Sequence, residues 1–251
     1  MQETVLALSD VAVAFGALRA VDGVTLQIGR GQRRAIIGPN GAGKTTLFNA
    51  ITGVILASEG TVTFNGQDIT RLPPHSRAAL GIARTFQITN LFPSLTVQEN
   101  MILAFQGLSA RKFSLFGKGD LTAADHERIH HALVQAGIAD LSQSPVTEMS
   151  YGKQRQLEIA LALVANPQLL LLDEPAAGLS PSERSIVADV ISGLPKSLTM
   201  ILIEHDMDLA LGLVDYVTCL HEGKVLVEAE PAAIRTNDLV QDVYLGKPHH
   251  A

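Results

Sequence analysis

Cysteine is nearly absent from this chain of 251 residues, in which Cys219 is the only one. A single cysteine excludes an internal disulfide and any metal site built from several cysteines. This usage fits a reducing compartment, where a fold depends on its packed core. The length allows one large α/β domain or two small ones.

Basic charge and long apolar runs are also lacking. The formal net charge is −6, which argues against broad nucleic-acid binding because nucleic acids favour basic patches. The longest apolar candidate, residues 159–172, is interrupted by Asn166 and Pro167. It falls short of the roughly 18–20 residues that a membrane-spanning helix needs. The first residues, MQET, do not begin a basic and then apolar stretch, so we expect no signal peptide.

Aromatic residues make up only 4% of the chain, although 47% of it is hydrophobic and the mean hydropathy is +0.23. This composition predicts a core of alanine, valine, leucine and isoleucine. The positive hydropathy of a chain without a predicted membrane span also indicates an apolar docking surface.

The spacing of apolar residues changes along the chain. Up to about residue 66 they alternate, which predicts strands. Residues 75–165 have a helical period, with capping residues at Thr96 and Thr122. The later runs LLLL (169–172) and MILI (200–203) predict parallel strands buried on both faces. A helix with a capping box at Ser180 is predicted between these two strands.

Residues 38–46 read GPNGAGKTT and match the phosphate-binding pattern G-x-x-x-x-G-K-[ST]. A glycine-rich turn lets successive backbone N–H groups converge on phosphate oxygens. The helix that follows adds its unpaired N–H groups and its positive dipole end. Lys44 can then reach the β- and γ-phosphates of a nucleoside triphosphate, while the Thr45 hydroxyl can bind Mg²⁺.

The residues around this loop favour the same interpretation. The apolar run 34–37 predicts a buried strand that enters the loop, and residues 47–52 predict a helix that Gly53 ends. A glycine-rich surface turn is the simpler alternative. A dinucleotide-binding turn is a weaker one, because the glycine spacing differs and Lys44 and Thr45 would have no role in it.

Two carboxylates follow a buried strand later in the chain, in the segment LLLLDEP of residues 169–175. Adjacent residues at a strand end point in different directions. Asp173 could therefore hold Mg²⁺ through water, while Glu174 faces the γ-phosphate and orients or deprotonates the attacking water. The alternative is an acidic turn at a strand end.

A short motif connects these features to a known family. Residues 149–154 read MSYGKQ, which is similar to the signature, usually LSGGQ, of the nucleotide-binding subunits of ATP-binding-cassette (ABC) transporters. The motif begins a predicted helix, so Ser150 and the N–H groups around Gly152 can bind a γ-phosphate from outside. The resemblance covers essentially the whole chain. It implies two chains paired head to tail, with each ATP between Lys44 of one chain and Ser150 of the other.

The resemblance assigns further residues. Gln87 matches the glutamine that senses Mg²⁺ and the attacking water, and His205 matches the histidine that contacts the γ-phosphate. Phe15 matches the aromatic residue that stacks on adenine, although its place in an alternating apolar run also fits core packing. Ser180 lies in the loop that matches the one crossing the dimer seam, where many members carry aspartate.

The motifs and the resemblance together define one predicted site. Catalysis is assigned to Lys44, Gln87, Glu174 and His205. Mg²⁺ binding is assigned to Thr45, Gln87 and Asp173. The residues assigned to ATP are Phe15, Asn40, Gly41, Ala42, Gly43, Lys44, Thr45, Thr46, Ser150, Tyr151 and Gly152.

The signature also departs from its usual form. Tyr151 replaces the first glycine and Lys153 replaces the glutamine. The tyrosine form resembles the subgroup that serves branched-chain amino acid importers, as do residues 81–87, residues 91–100 and the late YLG at 244–246. The resemblance thus implies uptake of a small polar solute. Branched-chain amino acids are the first candidates for this solute, and urea, amides and small organic acids are the alternatives.

The fold that the resemblance implies is α/β. It has a RecA-like P-loop NTPase core with a mostly parallel sheet, an N-terminal antiparallel β subdomain and an inserted α-helical subdomain. All would belong to one domain, with the core and β subdomain at 1–86 and 166–251 and the helical signature subdomain at 87–165. The implied cofactors are ATP and Mg²⁺.

The implied partners are transmembrane permease subunits and a second ATPase chain, which is either a copy of this one or a sister subunit. A periplasmic or extracellular solute-binding protein would act indirectly, and no nucleic acid is expected. The location would be peripheral, on the cytoplasmic face of the inner membrane. Residues 87–100 are expected to touch the permease, because Ile88, Leu91 and Phe92 are too apolar for a free loop.

Two other classes stay open at the level of sequence. A P-loop small-molecule kinase would need an acceptor pocket and would leave the signature and His205 unexplained. A non-transport ABC ATPase acting in DNA repair or translation usually carries coiled-coil or metal inserts, or two fused cassettes. None is evident in this sequence.

Overall fold

The computed structural model describes residues 3–85, 91–108 and 121–245. The strands of these residues are β1 (Thr4–Phe15), β2 (Leu18–Gly29), β3 (Arg33–Ile37), β4 (Glu59–Phe64), β5 (Gln67–Asp68), β6 (Ile82–Arg84), β7 (Leu169–Asp173), β8 (Thr199–Ile203), β9 (Tyr216–His221) and β10 (Lys224–Ala229). The helices are α1 (Lys44–Thr52), α2 (Pro74–Ala79), α3 (Val97–Leu108), α4 (Ala123–Gln135), α5 (Tyr151–Leu163), α6 (Pro181–Gly193), α7 (Met207–Leu213), α8 (Pro231–Arg235) and α9 (Asp238–Leu245).

The first part of the chain forms a four-stranded antiparallel sheet in the order β2-β1-β4-β5. This agrees with the alternating apolar pattern of the sequence. The turn from β4 to β5 uses Asn65 and Gly66, both with positive φ, as a tight hairpin requires.

The second sheet has six strands in the order β10-β9-β3-β8-β7-β6. Strands β9, β3, β8, β7 and β6 pair in parallel, and β10 pairs antiparallel to β9. The mostly parallel sheet is therefore confirmed. Because β8 lies between β3 and β7, the carboxyl ends of these three strands are neighbours at one edge.

Strand β6 departs from the sequence prediction, which treats residues from about 75 onward as helical. It has three residues and pairs in parallel with β7, where Ile82 lies opposite Leu169. Such a short strand depends on its partner and leaves no period of its own in the sequence.

The large sheet separates two apolar cores, because every residue of β3, β7 and β8 is buried. Ile36 and Leu171 belong to the core that α1 and the antiparallel sheet complete. Ala35 and Leu172 belong to the opposite core, which contains residues of α3, α4 and α5. Aliphatic residues dominate both cores, as the composition predicts.

The helix starts predicted from capping residues are confirmed. Glu99 Oε2 accepts from the Thr96 N–H at 2.7 Å before α3, and Thr122 caps α4. Ser180 and Glu183 form the reciprocal capping box of α6. Within residues 3–85, 91–108 and 121–245, no helix is both long and apolar enough to cross a membrane.

Candidate active site

Three strand ends place the candidate site at one edge of the large sheet. The segments that follow Ile37, Asp173 and Ile203 lie side by side, because β3, β8 and β7 are adjacent and parallel. In open α/β sheets, ligands bind at the carboxyl ends of the strands. This edge brings together the glycine-rich loop, Glu174 and His205, which are far apart in the sequence. Asp173, the last residue of β7, lies at the same edge.

The loop after β3 depends on glycine at two positions. Gly38 and Gly43 have φ of 146° and 99°. A Cβ on Gly38 would lie 2.2 Å from the Leu220 carbonyl oxygen, and a Cβ on Gly43 would lie 2.3 Å from the Ala20 carbonyl oxygen. Both the backbone conformation and the lack of space therefore require glycine.

Lys44 is the first residue of α1 and is only 6% exposed. Its Nζ donates to the carbonyl oxygens of Gly38 at 2.8 Å and Pro39 at 2.9 Å. Burial lowers the pKa of the Lys44 ammonium, and the nearby Glu174 carboxylate acts in the opposite direction. Phosphate oxygens are charged acceptors and bind an ammonium more strongly than carbonyl oxygens do, so they could draw Nζ out of this position.

The carboxylates at the end of β7 have different surroundings, as expected of adjacent residues at a strand end. Glu174 has a φ of 50°, and its N–H donates to the Ile203 carbonyl oxygen at 2.9 Å. Its Oε1 lies 2.7 Å from His205 Nε2. The Asp173 carboxylate is instead buried, with 3% of the residue exposed.

Asp173 is paired with an arginine to which the sequence assigns no role. Arg84 Nη2 donates to Asp173 Oδ2 at 2.6 Å, and its Nη1 donates to Asn49 Oδ1 at 2.6 Å. The guanidinium also lies 5.7 Å from the centre of the Phe48 ring. Arg84 belongs to residues 81–87, which carry part of the family resemblance, and this is the one signal that could have indicated it.

A cleft of about 390 Å³ opens over the loop. Phe15 lines it and is 51% exposed, so this side chain does not pack in the core. Gln87 lies outside the described residues. The cleft is lined by Phe15, Leu18, Ala20, Asn40, Gly41, Ala42, Gly43, Lys44, Thr45, Thr46, Glu174 and His205.

The signature residues lie at the start of α5 and do not line this cleft. Ser150 is exposed and caps the helix by accepting from the Lys153 N–H at 3.4 Å. The Gly152 N–H, a predicted phosphate donor, donates to Glu183 Oε1 at 3.1 Å. Hydrogen bonds from Ser180, and then from Gly152, lower the pKa of Glu183. A carboxylate of the same chain therefore lies at this helix start, a contact that the sequence does not indicate.

Tyr151 packs against the loop that precedes α6. A Cβ on Gly178 would lie 3.2 Å from Tyr151 Cε1, so the ring covers a glycine. Arg155 Nη2 donates to the Tyr151 hydroxyl at 2.6 Å, and its guanidinium lies 5.0 Å from the ring centre. The structure thus gives the unusual signature tyrosine contacts within its own chain.

Glu204 is a second carboxylate that the sequence does not single out. It is 5% exposed and accepts from the backbone N–H of Ala176 at 2.9 Å and of His205 at 3.2 Å. Burial raises the pKa of Glu204, and the charge of Glu174 acts in the same direction. Glu204 ties the end of β8 to the loop after β7, which supports the pair Glu174 and His205.

A mostly parallel sheet, a glycine-rich loop that enters a helix, and a glutamate and histidine on the adjacent strand ends define the class of P-loop nucleoside triphosphatases. Residues 21–177 match the family model described as ABC transporter. The chain belongs to the ABC transporter family.

Relatives match this chain over nearly its whole length. It is 36% identical to the high-affinity branched-chain amino acid transport ATP-binding protein BraF of Pseudomonas aeruginosa, over 98% of this chain and 100% of that protein. It is 37% identical to the LivG protein of Escherichia coli K12, which has the same description, with the same coverage. The solved ADP conformation of MJ1267, an ATP-binding cassette of an ABC transporter, is 30% identical with a TM-score of 0.86. That match covers 97% of this chain and 99% of the other.

These comparisons confirm the family, the α/β fold class and the ATPase activity that the sequence predicts. The roles of individual residues stay predictions, as does the division of the chain into 1–86 with 166–251 and 87–165.

Proposed function

We propose that this chain is the ATP-hydrolysing subunit of an importer for branched-chain amino acids. The observation that carries the proposal is the cleft in which Lys44, Thr45, Glu174 and His205 meet above the glycine-rich loop. The identity of the solute is inferred from the relatives BraF and LivG, which are described as branched-chain amino acid transport ATP-binding proteins.

In this proposal the β- and γ-phosphates lie on the loop amides and Lys44, while the exposed ring of Phe15 stacks on adenine. Glu174 orients or deprotonates the attacking water, and His205 contacts the γ-phosphate. The 2.7 Å contact between Glu174 Oε1 and His205 Nε2 supports these roles, because it holds both groups on one side of the cleft. Catalysis then rests on positioning and electrostatics.

Mg²⁺ fits the oxygen donors at this edge. Thr45 lines the cleft and carries a hydroxyl, and Asp173 supplies a carboxylate at the end of the adjacent β7. Hydroxyl and carboxylate oxygens are ligands that Mg²⁺ accepts, usually with several waters retained. Because Arg84 takes Asp173 Oδ2, we propose that Asp173 acts on the cation through water. The cation would neutralise phosphate charge, and Gln87 is the further ligand that the sequence predicts.

The second half of the site would come from another ATPase chain. Ser150 is exposed at the start of a 13-residue helix, outside the cleft of its own chain. A helix start binds anions through its unpaired N–H groups and its dipole. On closure, the phosphate of the partner's ATP would replace Glu183 on the Gly152 N–H. The partner chain is either a second copy or a sister subunit.

A separate apolar groove of about 430 Å³ suits the permease partner. Leu91 contributes to it and Phe92, the next residue, is 55% exposed, which supports the predicted contact of this segment with the permease. Ile88 lies outside the described residues. A cytoplasmic segment of the permease would place apolar side chains against Val54, Ala78, Leu91, Ala104 and Leu161.

In such a complex the chain is peripheral, on the cytoplasmic face of the inner membrane. ATP closes the pair of ATPase chains and hydrolysis reopens them, and the helical part passes this motion to the permease. A periplasmic or extracellular solute-binding protein meets this chain only through the permease.

The test is uptake by proteoliposomes that contain this chain, the permease that co-purifies with it and the matching solute-binding protein. We expect ATP-dependent uptake of leucine that isoleucine and valine inhibit, and no uptake when Glu174→Gln replaces the wild type. Uptake of urea, an amide or a small organic acid instead would contradict the solute. Stable association with DNA or ribosomes and with no membrane protein would contradict the transport function. Phosphoryl transfer to a small molecule rather than to water would favour a kinase.

A further inference from the structure

The C-terminal helix α9 reaches the glycine-rich loop through one side chain. The hydroxyl oxygen of Tyr244 accepts a hydrogen bond from the Gly38 N–H at 2.8 Å. Gly38 is the first residue of the loop, directly after β3, and is 206 positions away in the sequence. The contact therefore fixes the peptide group at which the strand becomes the loop.

Both polar groups of the Gly38 backbone, its N–H and its carbonyl oxygen, form hydrogen bonds. Its N–H donates to Tyr244, and its carbonyl oxygen accepts from Lys44 Nζ at 2.8 Å. A Cβ would lie 2.2 Å from the Leu220 carbonyl oxygen, so the chain passes tightly against β9 at this point. One residue thus links the C-terminal helix on one side to the lysine of the nucleotide cleft on the other.

Two features suit Tyr244 to hold the Gly38 N–H, namely the neutral state of its hydroxyl and the packing of the helix that carries it. Although 38% of the residue is exposed, burial raises the pKa of its hydroxyl to about 12, so the group stays neutral at any working pH. The helix that carries it is anchored by Val240, which is 2% exposed. Asn237 Oδ1 also accepts from the Val240 N–H at 3.2 Å, at the start of the same helix.

We propose that Tyr244 is a positioning residue for nucleotide binding, because its hydroxyl holds the Gly38 N–H and with it the geometry of the loop. The inference rests on the proposed binding of ATP in this cleft. Without the hydroxyl, a buried N–H loses its acceptor and the loop amides lose their fixed orientation. Glu174 and His205 are held by other contacts, so the chemical step itself should not change.

The test compares Tyr244→Phe with Tyr216→Phe. The control removes a hydroxyl from β9 at the far end of β3, where the Tyr216 ring lies 4.7 Å from the Arg34 guanidinium. For Tyr244→Phe we expect the Kd for a fluorescent ATP analogue and the KM for ATP to rise about tenfold, with kcat within about twofold of wild type. The Gly38 amide should exchange its hydrogen with solvent faster, and the rise in Tm on adding ATP should shrink.

Three results would contradict the role of Tyr244 or the proposed function on which it rests. Unchanged Kd and unchanged Gly38 exchange in Tyr244→Phe would overturn the role of Tyr244 while leaving the proposed function intact. A fall in Tm that is equal with and without ATP, at unchanged Kd, would show a structural contact only and would also overturn it. If the wild-type chain bound no ATP, the proposed function would fail first, and this inference with it.

Discussion

Glu174 Oε1 and His205 Nε2 lie 2.7 Å apart, across the neighbouring ends of β7 and β8. The contact is supported from the backbone, because the Glu174 N–H donates to the Ile203 carbonyl oxygen. Glu204 accepts from the N–H groups of Ala176 and His205 and so holds both loops together. These contacts thus hold the proposed general base and its histidine next to each other.

Replacing Glu174 with glutamine should stop turnover and leave ATP binding intact. The amide keeps the size of the side chain but cannot accept a proton, and general-base catalysis contributes about 10²–10⁴-fold to a rate. We expect kcat to fall at least about hundredfold, with a Kd for ATP close to that of wild type. Phosphate release measures the first quantity and binding of a fluorescent ATP analogue the second.

Glu127→Gln is the matched control for this variant, because Glu127 is an exposed residue of α4. It should have wild-type turnover. Hydrolysis by Glu174→Gln at the rate of the control would remove Glu174 from the proposed mechanism.

Removing Arg84 should destabilise the chain through Asp173. The pair is buried, with side-chain exposures of 9% and 2%, so Arg84→Leu leaves a carboxylate without its cation. Breaking such a pair costs about 3–5 kcal/mol, and we expect the free energy of unfolding in urea to fall by about that amount. Arg235→Leu breaks an ion pair to Asp208 at the same 2.6 Å distance, but with exposures of 52% and 83%, and should have little effect. Equal effects of the two changes would contradict the account.

The buried carboxylate of Glu204 should make stability depend on pH. Burial raises its pKa above the ordinary 4.5, so the folded chain binds this proton more tightly than the unfolded chain does. The stability from this group is therefore complete below pH 4.5 and is lost as the pH rises through the folded-state pKa. The excess unfolding free energy of wild type over Glu204→Gln should therefore decrease as the pH rises above 4.5. A difference that does not change as the pH rises above 4.5 would contradict a raised pKa for Glu204.

The sequence predicts the parts of the site that are local. The glycine-rich loop, the capping boxes and the paired carboxylates each occupy a few consecutive residues, and their chemistry depends on that spacing. Even the exposed ring of Phe15 is suggested by the family resemblance, although its apolar alternation alone favours core packing. Sequence spacing is sufficient to predict these features because backbone geometry fixes the relative positions of residues that are close together in the chain.

Contacts between distant residues are not predicted. The pairs Arg84 with Asp173, Gly152 with Glu183, and Gly38 with Tyr244 join residues that are 89, 31 and 206 positions apart. Each depends on the order of strands and helices in space, and a single sequence carries no signal for that order beyond hydrophobic periodicity. The three-residue strand β6 escapes prediction for the same reason.

The central claim is that each ATP site is shared between two ATPase chains. Mixing two inactive variants of this chain tests that claim most directly. Lys44→Ala removes the lysine of the loop. Ser150→Asp keeps a good helix cap and places a carboxylate where the partner's γ-phosphate is expected. In a mixed dimer, one site combines the intact Lys44 of one chain with the intact Ser150 of the other. Random pairing makes half of the dimers mixed with one good site each, so we expect about a quarter of wild-type ATPase activity. A mixture no more active than the separate variants, or full activity of Ser150→Asp alone, would contradict a site shared between two copies of this chain.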